Sequence, residues 1–156
     1  MKIAVISDTH GNTDRLLGLC DVFNECNALF FLGDGERDLT ALNGHIDVPI
    51  YAVCGNNDFS SQLPSEYTVD LYGTKFFLTH GHKYGVNDNL SLLSVRAQAE
   101  ECLFALYGHT HIPYLESDGK VILMNPGSLG YPFAKAPSYG IIENEGGRLN
   151  GKIIYI

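Results

Sequence analysis

Residues 102–111 read Cys-Leu-Phe-Ala-Leu-Tyr-Gly-His-Thr-His, and this stretch decides the fold. The apolar run Cys102–Leu106 lacks the alternation of a half-wet strand, so it reads as a strand buried on both faces. It ends in Gly108 and then in two imidazoles, His109 and His111, two positions apart. In an extended segment, side chains at i and i+2 leave the same side, so both rings are expected to aim at one place. A His-x-His pair alone is a weak metal signal, and two polar loop residues are the plain alternative. Its weight comes from the rest of the chain. Five of the six histidines follow short apolar runs, with Asp or Asn in matching places.

Upstream, Lys2–Ser7 is another continuous β-rich run, closed by Asp8-Thr9-His10-Gly11-Asn12. Thr13 to about Glu25 is expected to be one helix, capped by Asn12 or Thr13, with Leu16, Leu17, Cys20 and Phe23 on its apolar face. Ala28–Leu32 is a second buried strand ending in Gly33-Asp34-Gly35, and a short helical stretch runs from about Glu36 to Leu42. Val48–Cys54 is a third strand, with Pro49 marking a strand start or edge. It ends in Gly55-Asn56-Asn57-Asp58. Tyr67–Tyr72 and Thr74–Thr79 form a hairpin around Gly73, and its second arm ends in His80-Gly81-His82. A helix from Asn87 or Asn89 to about Glu101, with Leu90, Leu93 and Ala97 on one face, leads into the central strand.

Downstream, Pro113–Glu116 and Lys120–Met124 flank Ser117-Asp118-Gly119 as a hairpin. Asn125-Pro126-Gly127-Ser128 is a tight turn, and Tyr131–Pro137 is an irregular loop. Ser138–Glu143 and Lys152–Ile156 close the chain as strands around Gly146-Gly147. Strands alternating with helices, each strand ending in a polar cluster, describe an α/β fold whose ligand crevice lies at the carboxyl ends of the strands.

At 156 residues, 45% hydrophobic and 18% charged, the chain is sized for one domain, 1–156, with a real core. A net charge of −8 and the lack of a basic run argue against strong nucleic-acid binding. Met1-Lys2 leads into only four apolar residues, Ile3–Ile6, and no run approaches transmembrane length, so a protein without membrane contact is expected. Cys20, Cys26, Cys54 and Cys102 form no Cys-x-x-Cys pair and sit among apolar residues, the usage of a reducing compartment. A cytoplasmic protein is expected, and a homo-oligomer is left open.

The strand ends offer Asp8, His10, Asp34, Asn56, His80, His109 and His111. These oxygen and imidazole donors, with no thiolate, suit Mn²⁺, Fe, Co, Ni or Zn²⁺ rather than calcium alone. Seven donors exceed what one tetrahedral ion needs. They fit two divalent transition-metal ions sharing a bridging carboxylate, an arrangement that binds the oxygens of an in-line phosphoryl displacement.

The ordered set Asp-Thr-His-Gly, Gly-Asp, Gly-Asn-Asn-Asp, His-Gly-His and Gly-His-Thr-His, spread from Lys2 to Ser128, resembles the calcineurin-like metallophosphoesterases. The short length and the Asn125–Ser128 turn are similar to their small prokaryotic phosphodiesterase branch, which the small retromer subunit of eukaryotic cells also resembles. The resemblance implies a four-layer α/β/β/α sandwich of two mixed sheets. It implies that Asp8, His10 and His111 hold one metal, that Asn56, His80 and His109 hold the other, and that Asp34 bridges them. It further implies a hydroxide between the ions attacking a small-molecule phosphodiester, with manganese as the first choice of metal. Asn56 and His109 match positions that also contact phosphate oxygens, and Asn12 and Arg37 are further candidates for that contact. Arg37 equally reads as a solvated helix charge. Asp58 fits a partner that orients a ligand imidazole. His82 either touches substrate or hydrogen-bonds its own loop.

One residue departs from the pattern. In many relatives His follows the metal-binding Asn and helps the leaving group; here the residue is Asn57, whose amide delivers no proton at neutral pH. Aryl diesters are therefore expected to react better than dialkyl ones. Two rivals remain. The same fold used as a protein-binding module predicts weak metal binding or no turnover. A mononuclear hydrolase predicts one ion per chain.

Overall fold

A computed structural model describes residues 1–156. In chain order the elements are β1 (Lys2–Ile6), α1 (Thr13–Leu17), α2 (Cys20–Asn24), β2 (Ala28–Phe31), a 3-10 helix (Glu36–Leu42), β3 (Ile50–Ala52), β4 (Glu66–Leu71) and β5 (Thr74–Thr79). Then come a 3-10 turn (His82–Tyr84), α3 (Ser91–Ala99), β6 (Phe104–Leu106), β7 (Tyr114–Ser117), β8 (Ile122–Asn125), β9 (Ser138–Glu145) and β10 (Arg148–Tyr155). One sheet has the order β10-β9-β1-β2-β3 and the other β4-β5-β6-β8-β7. Each is mixed. β1, β2 and β3 are parallel, as are β5, β6 and β8, and antiparallel strands complete each sheet.

The unalternating apolar runs follow from burial on both faces of both sheets. Ile3, Val5 and Phe30 face Phe76, Phe104 and Met124 in the layer between the sheets. Ala4, Ile6, Leu29 and Phe31 point the other way, under Leu16 of α1, Phe23 of α2 and Leu42. On the second sheet Phe77, Ala105 and Leu123 lie under Leu93 and Ala97 of α3. The result is the four-layer α/β/β/α sandwich that the motif set implied. Each fully buried Phe or Leu contributes about 1.5–3 kcal/mol.

Several boundaries differ from the sequence expectation. The helix expected over Thr13–Glu25 is two short helices, because the first turn stops at Gly18, a weak helix former, and Leu19 turns into the core. α3 starts at Ser91 with no side-chain cap at Leu90; Asn89 Oδ1 instead accepts from the Ser91 N–H at 3.1 Å. β3 is short and lies at the sheet edge, where Pro49 offers only its carbonyl, accepting from the Leu29 N–H at 3.0 Å. The closing hairpin is longer than expected. It extends until Gly146 and Gly147, both at positive φ, make the two-residue turn.

The carboxyl ends of the parallel strands of both sheets meet along one edge of the sandwich. Backbone bonds tie them: the Asp8 N–H donates to Gly33 O, Gly108 N–H to His80 O, and Gly130 N–H to Asp8 O. No helix is long and apolar enough to cross a membrane.

Candidate metal centre

The two sheets deliver their polar ends through strained backbone. Eight non-glycine residues have positive φ, and five of them are Asp8, His10, Asp34, His109 and His111. An L-residue in that region costs on the order of 1–2 kcal/mol, so the surrounding structure must hold it there. This corrects the extended reading of His109–His111. Both residues are left-handed, and their rings diverge. His111 joins Asp8 and His10, whereas the His109 ring lies 5.2 Å from that of His80.

Two groups of donors result. Asp8, His10 and His111 form one; Asp8, Asp34 and His80 form the other. His111 Nε2 lies 3.1 Å from Asp8 Oδ1, and His10 Nε2 lies 3.7 Å both from Asp8 Oδ1 and from Asp34 Oδ2. His80 Nε2 is 3.5 Å from Asp34 Oδ2, 4.0 Å from Asp8 Oδ1 and 3.1 Å from Asn56 Oδ1. Asp8 is thus common to both groups, and Asp34 reaches His10 from the second. His109 belongs to neither; its N–H donates to Asp8 Oδ2 and its Nε2 accepts from the Asn87 amide at 3.1 Å.

Backbone carbonyls set two of the tautomers. His80 Nδ1–H donates to Leu32 O at 2.7 Å, and His111 Nδ1–H to Tyr131 O at 2.6 Å. Each Nε2 is then left as a lone pair facing the carboxylates. His10 Nε2 and His111 Nε2 approach to 3.2 Å. Asp8 Oδ1 is buried and accepts no hydrogen bond, although three imidazole nitrogens lie within 4.0 Å of it. A buried, unpaired carboxylate oxygen is costly. Lone pairs converging on it are what a cation requires, so the residues fit divalent metal ions.

The electrostatics agree. Burial opposes ionisation of Asp8, but His10 and His111 beside it outweigh that and keep its carboxyl below the usual range. Burial likewise opposes the Asp34 charge, and His80 together with Asn57 overrides it by a wide margin. His80 is raised despite its burial, because Asp34 and Asp8 favour its cation. Asp8 raises His111. His109 and His82 are lowered, first by burial and then by the charge of His80.

A second set of polar residues holds the ligand turns. Asp58 accepts from four backbone N–H groups: Asp34, Glu36 and Gly55 at 2.8 Å and Gly35 at 2.9 Å. It touches no imidazole, so its expected role as an orienter of a ring is replaced by that of a clamp between the ends of β2 and β3. Asn57 donates its N–H to Asp34 Oδ1 at 2.8 Å and its side-chain amide to Asp34 Oδ2. Asp38 accepts from Gly11 N–H at 2.8 Å and from the Thr9 hydroxyl. Asn125 Nδ2 donates to Gly108 O at 2.7 Å, and Ser128 Oγ donates to Asp8 O at 2.8 Å. A Cβ on Gly55 would overlap Asp34 Oδ1, and one on Gly108 would overlap Ser7 Oγ, so both positions need glycine.

Asn57 stood out in the sequence only as a departure, and Asp38, Asn87, Asn125 and Ser128 were not singled out as site residues. The turn Asn125-Pro126-Gly127-Ser128 was the one available signal.

The remaining candidates sit at the rim. Asn12 Oδ1 caps α1, accepting from Arg15 N–H at 3.3 Å, as the cap reading required. Arg37 is exposed and makes no ion pair; it lines a polar cleft of about 210 Å³ with His10, Asp34 and Asn57. The His82 ring lies 5.5 Å from that of His80 and 6.1 Å from that of His109, and its buried Nδ1 makes no hydrogen bond with its loop.

Comparison with known proteins accords with this centre. A phosphodiesterase of Escherichia coli is 29% identical over 171 aligned residues, covering 93% of this chain and 89% of its own. The structure of a Streptococcus pneumoniae protein, described as a predicted phosphoesterase, is 31% identical and superposes with a TM-score of 0.85, covering 99% of this chain and 88% of that one. Vps29 of Entamoeba histolytica, solved with zinc, shares the fold at a TM-score of 0.78 and 19% identity, covering 99% of each chain. The calcineurin-like phosphoesterase superfamily domain matches residues 1–147. With that match spanning nearly all of the sequence and a metal-ready carboxylate–imidazole cluster at its strand ends, the chain belongs to the calcineurin-like phosphoesterase superfamily and is a metal-dependent phosphoester hydrolase.

Proposed function

We propose that this chain is a dinuclear phosphodiesterase. The observation that carries the reading is the pair of donor groups at the strand ends, with Asp34 Oδ2 close to a ring nitrogen of each. When bound, two divalent ions supply an activated water and neutralise charge on the phosphoryl oxygens. Asp8, His10 and His111 would hold one ion and Asn56, His80 and His109 the other, with Asp34 reaching towards both. Asp34 Oδ2 lies 3.7 Å from His10 Nε2 and 3.5 Å from His80 Nε2, which suits a bridge. The His109 ring stands 5.2 Å from that of His80, and its Nε2 is engaged by the Asn87 amide. Arg37 and Asn12 line shallow clefts next to His10, within reach of substrate oxygens.

Asn57 is engaged on Asp34 and offers no proton, so leaving groups of low pKa depart fastest. Diester preference accords with the naming of the E. coli relative. Every donor position is filled, which favours turnover over a purely protein-binding role.

The test joins elemental analysis to hydrolysis of bis(p-nitrophenyl) phosphate, before and after chelation. Two ions per chain, loss of turnover on chelation and its return with manganese are expected. Full activity with one ion per chain would overturn the dinuclear form.

A further inference from the structure

A cleft of about 530 Å³ opens beside the metal centre, between the 86–90 segment and the 107–114 stretch. Its apolar walls are Val86, Leu90, Tyr107, Ile112, Tyr114 and Phe133. It includes His109, but none of Asp8, His10, Asp34 or His80, so it adjoins the centre through one imidazole. Asn87, bonded to His109 Nε2, forms part of its rim. Phe133 is 73% exposed, yet its ring lies 4.9 Å from that of His111, tilted by 31°. Ile112 is 51% exposed next to His111. Large apolar side chains left in water beside a charged site mark a surface that something apolar covers. A second cleft beside the centre is different: Glu36, Arg37, Asp38 and Asn57 make it polar.

We infer that this cleft seats the ester arm that stays on phosphorus, and that this arm is a planar aromatic group. The inference rests on the phosphodiesterase reading above. An in-line displacement sends the leaving oxygen away along the axis of attack, so the retained arm lies across that axis. A cleft that meets the centre only at its edge, through His109, suits the retained arm. Flat rings stack offset on Phe133 and pack on Ile112, and the Asn87 and Asn89 amides at the rim can bond a heteroaromatic edge. The ring is either a simple aryl group or a nucleobase.

Three diesters sharing the nitrophenolate leaving group separate the retained arm from the departing one. They are methyl p-nitrophenyl phosphate, phenyl p-nitrophenyl phosphate and thymidine 5′-(p-nitrophenyl phosphate). An apolar pocket contact of this size is worth roughly tenfold or more in kcat/KM. The phenyl or thymidine arm should exceed methyl by that factor, and the larger of the two gains names the source of the ring. Ile112→Ala with Phe133→Ala should bring the aryl-to-methyl ratio towards one, whatever the pair does to the common rate. Equal kcat/KM for methyl and aromatic arms, or a ratio that survives both substitutions, overturns the inference. Binding gives an independent readout. Phenylphosphonate added to the zinc-loaded chain should shift the methyl resonances of Val86, Leu90 and Ile112 but not that of Leu149 outside the cleft; shifts absent or placed elsewhere overturn it. A native chain that hydrolyses none of the three diesters refutes the phosphodiesterase reading, and the phosphonate shifts still decide the cleft.

Discussion

The first sheet and the second build the metal centre in different ways. The first supplies the two carboxylates, Asp8 and Asp34, together with His10 and Asn56, and each of its carboxylate turns is pinned by a further acidic residue. Asp58 gathers four amides around the Asp34 turn, and Asp38 holds the turn between Thr9 and Gly11. The second sheet supplies His80, His109 and His111. His80 is buried and fixed by Leu32, but His111 leans on a single carbonyl, that of exposed Tyr131, and His109 on exposed Asn87. Like charges held close need a rigid frame. His109 and His111 sit beside those carboxylates, which attract rather than repel an imidazolium, so looser loops suffice for them. The carboxylate half is therefore placed by backbone, and the imidazole half is trimmed by loops.

The strongest test of that contrast is Asp34→Asn. Its carboxylate belongs to one donor group and reaches His10 of the other, so turnover of bis(p-nitrophenyl) phosphate should fall by more than the roughly 10–100-fold that loss of an outer hydrogen-bond partner costs, and metal content should fall with it. Retention of both would mean that the rigid half is not the half that matters. His109→Ala and His111→Ala come next. Each should cut turnover at least about 100-fold while moving the melting temperature of the metal-free chain by no more than about 2–4 °C, because loop-end rings carry little packing. A folded variant of either kind that keeps the native rate removes that ring from the centre.

Asp58→Ala should show the reverse signature. Four amides lose a charged acceptor, and chemical denaturation of the metal-free chain should register a loss of about 3 kcal/mol. Asn87→Ala, its counterpart on the soft side, should cost well under 1 kcal/mol. If the two substitutions destabilise equally, the two halves are equally rigid.

The smallest effect is that of pH. In the metal-free chain Asp8 and Asp34 raise His80, and Asp8 raises His111, above the ordinary imidazole value of 6.5. A group whose folded pKa is raised stabilises below its unfolded pKa and ceases to do so as pH climbs through the folded value. Melting of the metal-free chain should therefore fall by a few degrees, about 2–4 °C, on going from below to above that window. Metal requires neutral rings, so the stabilisation it confers should grow in the same direction. Metal-free and metal-loaded melting curves that run parallel across the window would separate the raised imidazoles from the metal site.

How far these halves were legible in the sequence follows from what each depends on. The strands were legible because burial on both faces leaves unbroken runs such as Phe104–Leu106, and the ligands were legible because they cluster just past those runs. The direction of His109 and His111 was not. Their left-handed backbone is imposed by neighbours such as Asn125, seventeen residues from Gly108, and no local pattern announces it. Asp58 was visible as a polar turn residue, but its four amides come together only when the ends of β2 and β3 meet. Ser128 reaches Asp8 across 120 positions, a bond invisible to any short-range reading. The break after α1 turns on one glycine, Gly18, inside an otherwise helical pattern.

The left-handed ligands have a further consequence over evolutionary time. Five site residues occupy backbone that glycine or asparagine would hold with less strain, so mutation at these positions can raise stability while removing a donor. Selection for turnover and selection for robustness pull against each other at the same few codons. A lineage released from catalysis would be expected to lose His10 and His111 before it lost Phe76 or Phe104, and its sandwich would persist as a sturdier, silent scaffold.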